Sequence, residues 1–514
     1  MLAVTVATRA LGRTSPGRLA GWLVLVAATA SVFLYTTAFH EFWRDEVQTV
    51  LIARAVPFER LVSALRTEGV PPLVFVVLKV LDVLPTPYPL SALAAIGYAT
   101  LLFGTYRLLL SITQSPARSM VATVAFAFTD TYFYELGVVV RQYGLGLGLA
   151  LACAASLAQA IRSEQPRHAR WGALFGALAA STTAHSACLA GAALLSFSIV
   201  RFAQKPALRS VAAPLCALPA FLFTFFVIAP YPDRAAENLA VAQPTVERAI
   251  TEARALLIDS VLCPGWWHPE TFDSLIRGII ELVKLAFAGA LALGWRGLWR
   301  RPCLVAFYAA VVLLNGVTLL YIFIYRYSGA YRHHLFMFIP VMIIGVALSL
   351  APSDSRGPGR LLQLVPLALL LPWFLYQFYV CGSDLVRDHE GAFSQTRAAS
   401  SVFPADARVV IAGPDTLAAG LLFWRPDLSM RSLTSAGRSF RYMIADRRWH
   451  ESAALDPILA DECRRAPEVF VVGPGGQHPG VTGCATDVAS QSPSLLSESF
   501  EVFKLSCACQ LKGR

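Results

Sequence analysis

The stretch His40-Glu41-Phe42-Trp43-Arg44-Asp45-Glu46 stands directly after an apolar run over residues 20–38. That run has the length of a helix crossing a bilayer. The acidic pair Asp45-Glu46 is thereby set at a membrane–water boundary, where a carboxylate stays hydrated and reaches lipid headgroups. At the bilayer centre an Asp costs roughly 2.5–3.5 kcal/mol on the insertion scale, whereas at the boundary it costs little. The run does not read as a cleavable signal. It is long, it follows Arg9, Arg13 and Arg18, and no small-residue cleavage site precedes His40.

Outward from this stretch the chain of 514 residues is 56% hydrophobic and 15% charged. A soluble globular chain is nearer 25% charged, so most of this one is expected in lipid. Apolar runs recur at 88–112, 119–135, 142–161, 171–184, 187–200, 211–230, 276–294, 302–325, 333–350 and 361–380. With the first run they predict an α-helical polytopic membrane protein of about eleven transmembrane helices. The stretch 71–84 contains Lys79 and Asp82 and is only 14 residues long, which fits an interfacial helix better than a span.

The net charge of +10 invites a nucleic-acid reading, which the distribution excludes. Arg13 and Arg18 precede the first helix, and Arg107 and Arg118 flank one turn. Arg162, Arg167 and Arg170 fill another, Arg201, Lys205 and Arg209 a third. Arg296, Arg300 and Arg301 make a fourth, Arg356 and Arg360 a fifth. One alternating path places all of these in the cytoplasm and satisfies the positive-inside rule. That path puts the N-terminus inside and segments 39–87, 231–275 and 381–514 outside.

Two regions follow. Residues 1–382 are expected to form the membrane-embedded domain, with 39–87 as its first outer loop. Residues 383–514 lack a long apolar run and are expected to form a small extracytoplasmic α/β domain. Strand-like pieces occur at 408–412, 442–445 and 468–472, with a helix-compatible stretch from Asp415 to Trp424. Gly473-Pro474-Gly475-Gly476 lacks the spacing of a phosphate loop and reads as a turn. Cys153, Cys188, Cys216 and Cys303 fall in or beside lipid runs, whereas Cys463, Cys484, Cys507 and Cys509 lie in the tail. A structural disulfide is expected there; one closing the loop from Cys463 to Cys484 would contribute roughly 3 kcal/mol.

Polar groups on the outer side include Arg44, Arg54 and Arg66 with Asp45, Glu46 and Glu68. Glu135 and Arg141 bracket another outer turn, His185 sits at a tight one, and Tyr325-Arg326-Tyr327 and Tyr331-Arg332-His333-His334 flank a further one. Outer arginines oppose the charge rule, and a phosphate at headgroup level would explain them, since guanidinium forks bind its oxygens bidentately. Taken singly, a boundary Arg is more often a snorkelling anchor, and Asp45 is a good N-cap candidate. Convergence on one face favours a site. Val47, Val50, Leu51, Ala55, Phe58, Leu61, Val62 and Leu65 recur at helical spacing, predicting one amphipathic helix from the acidic pair to the Glu68-Gly69-Val70-Pro71-Pro72 bend.

Trp43-Arg44-Asp45-Glu46 followed by Glu68-Gly69-Val70-Pro71-Pro72-Leu73 resembles the first outer loop of the GT-C glycosyltransferase superfamily. Tyr134-Glu135 with Arg141-Gln142-Tyr143, and Tyr331-Arg332-His333-His334, are similar to its bacterial branch related to protein O-mannosyltransferases and aminoarabinose transferases. The resemblance spans roughly 20–380, with Val70 standing where relatives often carry His. It implies a bacterial cytoplasmic-membrane enzyme that takes a sugar from a polyprenyl-phosphate donor and transfers it outside, with inversion, to a glycan, lipid or protein acceptor. Asp45 would be the general base, and Glu46 would orient the acceptor; if a divalent cation is used, Asp45 or Glu46 would hold it. Arg141, Arg332 and His333 would neutralise the departing phosphate. Arg44, Glu68, Glu135, Tyr143, His185 and Tyr331 would complete the cavity. A transporter or flippase of lipid-linked sugars and a non-catalytic membrane scaffold are the competing classes; few midplane charges and a crowded polar face weigh against transport.

Overall fold

The computed structural model of the chain describes residues 16–68, 70–206, 212–228, 245–257, 301–325, 331–351, 358–412, 416–433, 455–474, 485–491 and 500–508, with short pieces between 278 and 290. Two compact units are present. The first comprises Met1–Phe33, Gly69–Leu73 and Ala94–Gly382, the second Leu34–Glu68, Val74–Leu93 and Ser383–Arg514.

The helices run α1 (Pro16–Ala38), α2 (Arg44–Ala55), α3 (Phe58–Glu68), α4 (Leu73–Leu81), α5 (Tyr88–Thr113) and α6 (Pro116–Ala127). A π-helical segment (Thr131–Val138) precedes α7 (Gln142–Ser163), α8 (Pro166–Ala180), α9 (Ala184–Gln204), α10 (Ala212–Ile228) and α11 (Val246–Leu257). Then come α12 (Pro302–Tyr325), α13 (Tyr331–Leu350), α14 (Pro358–His389) and the short α15 (Thr396–Ser400). Among the described residues seven helices are long and apolar enough to cross a membrane: α1, α5, α7, α9, α12, α13 and α14. Helices α8 and α10 match expected runs but have only 15 and 17 residues. The run over 276–294 lies largely outside the described residues, so the expected eleven spans become seven plus two shorter helices among the described ones.

The stretch 71–84 holds a nine-residue helix, α4, too short to span, as expected. Two expectations are corrected. The single amphipathic helix of the first loop is two helices, because Pro57 cannot continue the first; Val56 before it is extended (φ −96°, ψ 118°). The run 119–135 breaks after Ala127, and the chain resumes as a π-helix. Its first turn is held by Gln377, whose Oε1 accepts from the Thr131 amide (3.2 Å) and hydroxyl (2.9 Å).

Within the first unit α7 is the buried centre, flanked by α8 and α9, with α9 also against α12. Helices α5 and α7 approach through glycines: a Cβ on Gly104 would fall 2.2 Å from the Gly148 carbonyl oxygen. Lipid offers helices no hydrophobic drive to associate, so close packing of this kind is what joins them. Proline breaks in the spans are compensated locally. Pro340 cannot bond the Phe336 carbonyl four residues back, and the Asn315 side-chain amide of α12 donates to it instead (2.9 Å).

The tail contains β1 (Arg408–Ile411), α16 (Thr416–Trp424), β2 (Ser429–Ser432), α17 (Leu455–Cys463), β3 (Glu468–Pro474), β4 (Ala485–Gln491) and β5 (Phe500–Ser506). The sheet order is β2-β1-β3-β5-β4, with β2, β1 and β3 parallel and the β3–β5 and β5–β4 pairs antiparallel. Val469 to Val472 of β3 are all buried, as a central strand covered on both faces requires. On one face α17 packs Ile458 and Leu459 against Val410, Val469, Val471, Phe503 and Leu505. The disulfide joins Cys463 to Cys507, not to Cys484, with Cα atoms 5.2 Å apart and a sequence separation of 44. Cross-linking a loop of that length contributes about 4 kcal/mol in the chain-entropy model. The strand expected at 442–445, and Cys484 and Cys509, lie outside the described residues.

Candidate active site

In the second unit the acidic pair is split by the turn that starts α2. Trp43 is the N-cap, extended at φ −92° and ψ 169°, so Asp45 is not the cap that its position suggested. Asp45 and Glu46 fall in the first turn, where carboxylates complement the helix dipole. Glu46 turns inward and is fully buried. Its Oε2 accepts the Trp43 N–H (3.0 Å), satisfying one of the orphan amides of the helix start. Both its oxygens also lie against His40 Nε2, at 3.1 and 3.2 Å. The other imidazole nitrogen, Nδ1, meets Asp388 Oδ2 of α14 at 2.7 Å. Asp45 remains half-buried, and the Thr49 hydroxyl donates to its backbone carbonyl (3.4 Å). One member of the pair is therefore structural, while the other is solvent-reachable.

The turn is tied down on several sides. Glu41 accepts the Arg397 N–H (3.1 Å), and the Arg397 guanidinium donates to the Ala38 carbonyl (3.2 Å). Phe42 packs edge-on against Phe423 (5.5 Å) of α16, the tail helix that covers α2. Arg54, at the end of α2, pairs with Asp82, donates to Thr86 (3.1 Å) and lies over the Phe423 ring.

Burial alone would lower the His40 pKa, but the charges of Asp388 and Glu46 and the hydrogen bonds to them hold it well above the ordinary value of 6.5. Burial also pushes the Glu41 carboxyl up to about 7, against the opposing pull of Arg397 and His40. Both folded pKa values thus exceed the unfolded ones. Each contribution to stability is whole below the unfolded pKa and is lost as pH rises through the folded one. The unfolding midpoint of wild type should therefore exceed that of His40→Gln at about pH 6, with the gap closing as pH rises past the folded His40 value. A gap independent of pH would refute the assignment.

In the first unit a second group forms around α7. Arg141 is the extended N-cap of α7, and Tyr143 lies in its first turn. His185 lies in the first turn of α9, fixed by a Thr183–Ser186 capping box in which the Ser186 amide donates to Thr183 Oγ1 (2.9 Å). His333 comes from the first turn of α13. The Tyr143 hydroxyl is 2.9 Å from His333 Nε2. The His185 and His333 rings stack in parallel, with centroids 4.4 Å apart and planes at 3°. Phe336 and Phe323 wall His185, and His334 meets Phe323 edge-on at 4.9 Å. Arg141, Arg332 and His334 all lie within electrostatic range of His333. Three chain segments thus gather a basic, aromatic-walled cluster of the kind that receives an anion.

Of the expected residues, Asp45 and Glu46 share one turn, and Arg141, Tyr143, His185, Arg332 and His333 come together in the other unit. Glu135 is buried inside the π-helix. The side chains of Arg44, Glu68 and Tyr331 lie outside the described residues. Sequence reasoning missed His40, Asp388 and Arg397 as partners of the acidic turn. His40 stood in the quoted stretch, but Asp388 is 348 residues away from it. Among the described residues no three His, Cys, Asp or Glu side chains gather to hold a metal ion. With Glu46 committed to His40 and the Trp43 amide, Asp45 is the carboxylate of the pair that would reach a divalent cation.

No family model and no curated protein matches the sequence. Among solved structures, ArnT from Cupriavidus metallidurans bound to undecaprenyl phosphate aligns with a TM-score of 0.56 and 13% identity, covering 94% of this chain and 98% of that one. The chain has an ArnT-like fold. The apo form of the same ArnT aligns at 0.57 and 12%, over 95% of this chain and 99% of that chain. The oligosaccharyltransferase of Archaeoglobus fulgidus gives 0.44 and 9%, over 79% and 64%, too distant to bear on the site. ArnT is an aminoarabinose transferase of the GT-C superfamily, so the resemblance read from the first outer loop holds at the level of the fold.

Proposed function

We propose that this multi-pass membrane protein is a glycosyltransferase that moves a sugar from a polyprenyl-phosphate donor to an acceptor at the outer face of the bacterial cytoplasmic membrane, with the N-terminus cytoplasmic and the tail outside. The observation that carries this reading is the ArnT-like fold over 94% of the chain, the ArnT in question having been solved with undecaprenyl phosphate. Asp45 is the general base. It takes the proton of the acceptor hydroxyl as that oxygen bonds to the anomeric carbon, and the bond from that carbon to the phosphate oxygen breaks with inversion. The lipid phosphate leaves as an anion. Arg141, Arg332 and His333 stabilise the charge that develops on it, and Tyr143 orients His333 through their hydrogen bond. Glu46 holds the turn and does not touch the acceptor.

Removing one guanidinium from a phosphate site costs about 1.5–3 kcal/mol, which is a roughly 10- to 100-fold loss of affinity. Arg332→Ala should weaken binding of undecaprenyl phosphate to the purified chain by that factor without shifting the unfolding midpoint. Unchanged affinity would remove Arg332 from the donor site.

A further inference from the structure

We infer that His40, clasped between Glu46 and Asp388, is a positioning residue for this transfer: it fixes the first turn of α2 and with it the direction in which Asp45 faces. The inference rests on Asp45 being the base.

An N-terminal cap needs no such device. A Glu at the third helical position ordinarily reaches back to the cap amide with its carboxylate in solvent. Here the carboxylate is fully buried, and so is the partner on the far side; His40, Glu46 and Asp388 are 2%, 0% and 0% exposed. Taking two carboxylates out of water is expensive, and the cost is met only if their hydrogen bonds are made. His40 gives one nitrogen to each carboxylate at once, spanning from the helix start to α14. Apolar residues of similar size commonly serve stability as well as a buried charged network does, so what the network adds is a defined geometry. The geometry it defines belongs to one turn, Trp43–Glu46. Neighbouring ties point the same way: the Tyr35 hydroxyl donates to the Leu385 carbonyl (2.6 Å), and Arg397 holds Ala38 and Glu41. The segment 35–46 is thus strapped to 385–397 on both sides of His40. Asp45 stands within this strap, in the first turn of α2.

A base displaced by about 1 Å loses on the order of 100-fold in rate. His40→Gln keeps one donor, and Asp388→Asn keeps the volume but loses the charge. Each is expected to lower the kcat for release of label from undecaprenyl-phosphate mannose or aminoarabinose in membranes carrying the full chain, by roughly 10- to 100-fold. Donor KM should hold, because the donor phosphate is bound by Arg141, Arg332 and His333. Backbone amide exchange should quicken at 44–49 and stay unchanged in β1, β3 and β5. Wild-type exchange at 44–49 in both variants would overturn the clasp, with or without activity. So would loss of protection throughout the sheet with unchanged kcat per folded molecule, since that is a role in stability alone. The activity arm separates the two claims. Full turnover by Asp45→Asn with slow His40→Gln overturns the base assignment, and with it the purpose of the clasp. Slow Asp45→Asn with unimpaired His40→Gln and Asp388→Asn overturns the clasp and leaves the base standing.

Discussion

Asp45→Asn should abolish transfer while leaving the protein folded and the donor bound. General base catalysis contributes roughly 10²–10⁴-fold, and an amide cannot accept the acceptor's proton. The substitution preserves shape at a half-buried position in the first turn of α2, and the cap hydrogen bond belongs to Glu46 rather than to Asp45. The unfolding midpoint is therefore expected to stay within about 1 °C, since surface changes usually remain within 0.5 kcal/mol. Undecaprenyl phosphate should bind as in wild type. Glu46→Gln gives the contrasting result: lower stability, because a buried carboxylate paired with His40 loses its charge. Turnover by Asp45→Asn within threefold of wild type would show that Asp45 is not the base.

The largest effect on stability should come from the seam between α5 and α7. A Cβ on Gly148 would sit 2.4 Å from the Thr100 carbonyl carbon and oxygen, and one on Gly104 would meet the Gly148 carbonyl oxygen. These are backbone atoms on both sides, so no side chain can rotate away. Gly148→Ala or Gly104→Ala must push the two helices apart, with an expected cost of about 1–3 kcal/mol and more for larger residues. Gly17→Ala in α1, where nothing lies within 4 Å, is the control and should be neutral or stabilising. Thermal unfolding of the detergent-solubilised chain reads the difference. Equal midpoints for Gly148→Ala and Gly17→Ala would contradict the packing.

The spans were legible because length and hydropathy are local properties; the apolar runs at 20–38, 88–112, 142–161 and 302–325 correspond to α1, α5, α7 and α12. In the tail β1, β3 and α16 were equally readable, as short apolar stretches ending near Gly or Pro. Strand β4, Ala485–Gln491, was not, since its sequence carries no apolar alternation and it borrows order from β5 on the sheet edge. Pro57 stood in plain view inside an apparently continuous helical pattern, and apolar periodicity outweighed it wrongly. Disulfide pairing is a tertiary fact, and four tail cysteines do not reveal it.

The candidate site was legible in part for the same reason. Asp45 and the arginines were visible as polar groups at span ends. The division of labour between Asp45 and Glu46 was not, because it depends on His40 and on Asp388 at the far end of the chain. Likewise the His185–His333 stack requires α9 and α13 to meet, which no spacing in the sequence expresses.

The central claim is that this chain cleaves the bond between sugar and lipid phosphate instead of carrying the intact lipid across the membrane. The direct measurement incubates membranes bearing the full chain with undecaprenyl-phosphate mannose or aminoarabinose and follows sugar and lipid by separate labels. The expected result is release of undecaprenyl phosphate matched by sugar on a new acceptor, absent with Asp45→Asn. Both labels remaining together on intact lipid, whichever leaflet they occupy, would contradict it.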